Sequence, residues 1–112
     1  MDPLLALAAL LTAGIAVAHS YLGERYILVR LFRRPDLPKL FGSDWFTKRT
    51  LRFAWHITSI AWLGLAAALF VEPRIAVSAA FAASALVSLV GARGRHYSWA
   101  VFGAIAALTW PW

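Results

Sequence analysis

The 112-residue chain contains no cysteine. Disulfides, thiolate ligands and cysteine redox chemistry are therefore excluded, and any metal site must use nitrogen and oxygen donors. No long polar stretch is present, so there is no room for a sizeable water-facing domain. Acidic residues are scarce, 5 against 11 basic ones. A glycine-rich phosphate loop is missing, and Ser20 and Ser59 lack the strand-turn-helix context of a serine nucleophile. Strand alternation is missing too: runs such as Ala79 to Ala85 have neither period two nor β-branched enrichment, which excludes a β-barrel.

What remains is apolar. Hydrophobic residues make up 62% of the chain and mean hydropathy is +0.69, a composition suited to lipid. A hydrocarbon core of roughly 30 Å needs about 20 apolar residues per helix, so this length supplies at most four crossings. The expected spans are Leu4 to Leu22, Leu51 to Val71, Ile75 to Ala92 and Tyr97 to Trp112. The fold expected is a single all-α domain over residues 1–112, a four-transmembrane-helix bundle.

The formal charge of +6 is concentrated in two loops. Arg25, Arg30, Arg33, Arg34, Lys39, Lys48 and Arg49 lie between the first two spans, with Arg52 just inside the second. Arg93 and Arg95 lie between the last two, whereas the turn from Val71 to Arg74 offers Arg74 against Glu72. Basic loops stay in the cytoplasm, so both termini are expected outside (N-out/C-out), in a multi-pass protein of the cell inner membrane. The same clustering favours anionic lipid headgroups over nucleic acid as the basic residues' partner. Ala16-Val17-Ala18 resembles a leader cleavage site, but the positive charge follows the apolar run, as in a retained N-out anchor.

Pro35, Pro38 and Gly42 break helix within the first basic loop and mark a short interfacial segment. Ser43 or Asp44 is the expected cap of the next helix, with Trp45 and Phe46 at headgroup depth. Trp110 and Trp112 anchor the far side around Pro111. Ala76, Ala80, Ser84 and Ser88 recur every four residues, extended by Ala83 and Gly91, a small-residue ladder for close helix approach. Gly64 with Ala68, and Gly103 with Ala107, offer matching stripes.

The three histidines lie on different spans, yet at 1.5 Å per residue His19, His56 and His96 all fall near the cytoplasmic face. Ionisable groups inside membrane segments are functional candidates. His19, His56, His96 and Glu24 are the candidate metal ligands for a Zn, Cu or Fe ion. A b-type haem held by His19 and His56, with Arg52 or Arg95 at its propionates, is a second option, and proton relay by His and Glu is a third. Glu24 lies roughly 140° round a regular helix from His19, so it joins that site only if the helix distorts near Gly23; otherwise it pairs with Arg52 or Arg25. The Trp55 and Trp62 stripe is read as packing or lipid contact. The expected function is metal or redox handling at this cluster. The competing reading is a non-catalytic accessory subunit with structural histidines, joining a homo-oligomer or larger membrane complex through the third span.

Overall fold

Each helix begins where a polar side chain can take the free N–H groups of its first turn. The structure, a computed structural model, describes residues 2–112. Helix α1 (Pro3–Leu31) opens with Pro3 at its first position and the Asp2 carboxylate accepting from Leu4 N–H at 2.8 Å. It winds as a regular helix to Leu22, widens into a π-helical turn over Gly23–Leu28 and closes at Val29–Leu31. Helix α2 (Trp45–Ala67) begins behind Ser43, whose hydroxyl accepts from Trp45 N–H at 3.3 Å, and Asp44 pairs with Lys48 at 3.2 Å. Helix α3 (Pro73–Gly91) opens with Pro73 and the Glu72 carboxylate accepting from Arg74 N–H at 3.2 Å. Helix α4 (Ser98–Thr109) stops before Pro111, which cannot continue it.

The α3–α4 turn is a Schellman motif. Arg93 and Gly94 take left-handed φ of 51° and 77°, and Gly94 N–H donates back to Leu89 O at 2.9 Å. A second left-handed pair, Phe41 (φ 58°) and Gly42 (φ 91°), turns the loop before α2. That turn sets Phe41 edge-on to Phe46.

The chain is all-helical as expected, but the helices form a row and not a closed bundle. Helix α1 packs on α2, α2 on α3 and α3 on α4; no other pair meets among the described residues. The result is a layer measuring 51 × 33 × 15 Å. Sequential helices are neighbours, and α1 and α4 do not meet to close the row. Large apolar side chains consequently stay exposed on every helix, among them Leu10, Leu65, Val90 and Leu108.

Helices α1 and α3 are long and apolar enough to cross a membrane. Helix α2 starts six residues before the expected Leu51, and its first half carries Lys48, Arg49, Arg52 and His56. Helix α4 has 12 residues, about 18 Å of rise, short of the roughly 30 Å hydrocarbon core. The span expected over Tyr97 to Trp112 is thus helical only in its middle.

The small-residue ladder of α3 serves two neighbours. Toward α2, Gly64 comes so close that a β-carbon there would lie 2.9 Å from that of Ala80, and one on Gly91 would lie 3.0 Å from that of Phe53. Toward α4, the Ser78 hydroxyl donates to Ala106 O at 2.7 Å, Phe81 packs on Phe102, and Ser88 pairs with Ser98. The expected Gly103 and Ala107 stripe is not the contact: Ala107 is exposed and a β-carbon on Gly103 would meet nothing within 4 Å. Ala106 is the buried residue of α4.

Candidate functional site

Ser20 and Glu24 stand four apart on α1, and Arg52 and His56 stand four apart on α2, so each pair shares one helix face. With the helices antiparallel, the two faces meet. The His56 ring bridges them: Nδ1 lies 2.9 Å from Ser20 Oγ, and Nε2 lies 3.4 Å from Glu24 Oε2. The other carboxylate oxygen, Oε1, is 2.9 Å from Arg52 Nε. At the deeper end Ser20 Oγ is 2.6 Å from Ser59 Oγ, and Ser59 is buried. Five polar side chains therefore form one line, Ser59, Ser20, His56, Glu24, Arg52, from the buried interface outward.

The line exists because α1 and α2 approach closely beside it. The Trp55 indole lies against Gly23, where there is no β-carbon to obstruct it, and donates from Nε1 to His19 O at 2.8 Å. A π turn shifts the hydrogen-bond ladder by one residue, and here Val29 N–H donates to Glu24 O, five residues back. The helix does distort at Gly23, yet the distortion does not carry Glu24 to His19. Glu24 faces Arg52 and His56.

The imidazoles do not share a pocket, contrary to the expectation. The His19 ring stacks on Trp55 (centroids 4.5 Å apart, interplanar angle 1°) and tilts against Trp62 at 4.9 Å. Its Nε2 is buried without a hydrogen-bond partner. His96 packs between Phe46 and Phe53, and its Nδ1 accepts from Ser98 N–H at 3.3 Å, capping the start of α4. Among the described residues no three His, Asp or Glu side chains gather as a metal-ligand set. Of His19, His56, His96 and Glu24, the structure joins only His56 and Glu24. The haem arrangement needs His19 and His56 facing one iron, but their rings are committed to Trp55 and to Ser20. Arg52 is held by Glu24 and lies over the Phe32 ring at 5.0 Å. Arg95 lies over Trp45 at 5.0 Å and lines a separate pocket with Phe41 and Tyr97.

Arg52, His56 and Ser59 share one face by their spacing, as sequence reading has it; Ser20 is the site residue that sequence reading missed. Dismissing it as a nucleophile also removed it as a hydrogen-bonding group, although the four-residue spacing of Ser20 and Glu24 was there to be seen. The outer end of the site is cationic and aromatic: Arg49 lies over Trp45 at 5.3 Å. In the loop beyond it, Arg34 grips Asp36 through two hydrogen bonds, of 2.9 and 2.7 Å, which hold the Asp36 carboxyl below its usual range.

No family model matches the sequence, and neither a curated protein nor a solved structure matches it.

Proposed function

We propose that this chain is a multi-pass inner-membrane subunit that responds to protons at the cytoplasmic face. The observation carrying this reading is that His56 is hydrogen-bonded through Nδ1 to the Ser20–Ser59 hydroxyl pair while its Nε2 stands 3.4 Å from Glu24 Oε2, a buried carboxylate oxygen with no hydrogen-bond partner of its own among the described residues. When the ring is neutral with its proton on Nε2 toward Glu24, Nδ1 accepts from Ser20 O–H. When both nitrogens are protonated, Nδ1 donates to Ser20 Oγ, and the Ser20 proton turns toward Ser59. One proton thus reverses the direction of donation along the line and makes the His56–Glu24 contact an ion pair. Imidazole is the side chain whose charge ordinarily changes near neutral pH.

The basic ends agree with one cytoplasmic face. Arg95 over Trp45 and His96 on Phe46 put the α3–α4 turn beside the start of α2. At the opposite end Arg74 donates to Trp110 O at 3.1 Å. With the basic end inside, both termini lie outside.

The test is spectroscopic. With the protein in lipid nanodiscs, ¹⁵N signals of His56 and the distance between spin labels on α1 and α2 are followed between about pH 5 and pH 8. Protonation of His56 is expected to change the interhelical distance, and His56→Gln to abolish that change. An interhelical distance independent of pH in the parent protein overturns the reading.

A second reading, an assembly subunit, is favoured by the row itself, since the end helices α1 and α4 each contact a single neighbour. It predicts a mass above one chain in native gels and native mass spectra.

A further inference from the structure

Two grooves on the layer have His56 in their walls. One, of ≈ 390 Å³, lies between α2 and α3; Leu86, Val87 and Val90 form its apolar side and Arg49 and Arg52 its charged end. The other, of ≈ 400 Å³, lies between α1 and α2 and is lined by Val17, Ile60 and Leu63 below Ser20 and Tyr21. Both volumes fall within the range of ligand sites.

The charges at the first groove are unbalanced. Arg52 shares Glu24 with His56, Lys48 is paired with Asp44, and Arg49 has no carboxylate within ion-pair distance among the described residues. The groove therefore has two arginines at one end of an apolar trough, Arg49 lying over Trp45 with no carboxylate partner among the described residues and Arg52 sharing its charge with Glu24. Basic pockets between membrane helices at the cytoplasmic side select anionic headgroups. A free anion would use the arginines and leave the trough empty, whereas a lipid uses both.

We propose that this surface binds an anionic diacyl phospholipid. The phosphate sits between Arg49 and Arg52, and one acyl chain lies along Leu86, Val87 and Val90. The second crosses α2 past His56 into the groove at Val17, Ile60 and Leu63. The site rests on the membrane reading given above. It also touches the proton-responsive line, because Arg52 serves both the phosphate and Glu24.

The experiment is native mass spectrometry of the delipidated protein in detergent, titrated with phosphatidylglycerol, phosphatidylcholine or inorganic phosphate. Phosphatidylglycerol is expected to be retained at least fivefold over phosphatidylcholine, with inorganic phosphate not retained. A basic residue near an anionic surface contributes about 1 kcal/mol, so Arg49→Gln should reduce that preference about fivefold. Val90→Trp, at an exposed position of the trough, should reduce retention of both lipids, and circular dichroism checks that each variant is folded. Equal retention of the two lipids, an unchanged preference in Arg49→Gln, or retention of phosphate alone overturns the proposal. Alkaline carbonate washing of membranes separates the premises: release of the protein overturns the membrane reading, while a protein that stays in the membrane but does not discriminate the two lipids overturns only the lipid site.

Discussion

The Trp55 indole occupies the space where a side chain on Gly23 would be, and its N–H holds the carbonyl of His19 one turn earlier. This contact brings α1 and α2 together at the point where α1 leaves the regular helical path. From there outward, Glu24 is presented to Arg52 and His56. A glycine, an indole and a widened turn thus determine where the carboxylate of the site stands.

Gly23→Ala is expected to destabilise the protein by about 1–3 kcal/mol, because the methyl group must displace the indole or the helix. The sign is informative, since alanine for glycine inside a helix ordinarily stabilises by about 1 kcal/mol. Gly14, with nothing within 4 Å of a β-carbon, is the control, and Gly14→Ala should be neutral or stabilising. Reversible unfolding in detergent measures both.

Ser20→Ala and Ser59→Ala should each cost about 0.6–2 kcal/mol, the range for interhelical hydrogen bonds in membranes. The double variant should cost less than the two single costs combined, because the hydroxyls are partners at 2.6 Å. Additive costs in a double-mutant cycle would show that the two hydroxyls act separately.

How much of this was legible follows from where the signals lie. Helix class and the position of the basic loops are one-dimensional properties of apolar runs and charge, and the sequence carries them. Counting along each span puts the histidines near one end, but position along a helix says nothing of rotation about it. His19 turns to Trp55 and Trp62, His56 to Ser20 and His96 to Phe46 and Phe53, so the three rings have three separate surroundings. Spacing alone puts Ser20 with Glu24 and Arg52 with His56 on shared faces, but that these two faces meet depends on rotation and is seen only in the contacts. The row was not accessible, because the order of helices along the chain does not say whether the ends of the series meet.

The loop between α1 and α2 has its own pH dependence. Hydrogen bonding to Arg34 lowers the Asp36 carboxyl below its ordinary value of 3.8. A depressed carboxyl contributes order that is present above its unfolded value and lost as pH falls through the folded one. The contribution of the pair to loop order should therefore be complete above the ordinary carboxyl value and decline as pH falls below it, a change that Asp36→Asn removes. Amide exchange across residues 33–39 reads it, and an identical acid profile in the variant would show that the pair does not order the loop.

The two glycine stripes expected to pack α3 can be separated by one substitution in each. Gly64 faces Ala80 at a distance that leaves no space for a side chain, whereas Gly103 has nothing within 4 Å. Leucine at position 64 must push α2 from α3 or leave its rotamer minimum, at a cost of about 1–3 kcal/mol. It also strains the groove between them, since Gly91 and Phe53 lie in the same interface nearer the arginines. Gly103→Leu adds an apolar side chain to an open surface and gains helix propensity, so its stability should be unchanged or slightly higher. If α4 instead packed through the Gly103 and Ala107 stripe in the membrane, the two variants would be equally damaging. Parallel unfolding curves of Gly64→Leu and Gly103→Leu therefore distinguish a row held through Ala106 from a bundle closed through Gly103.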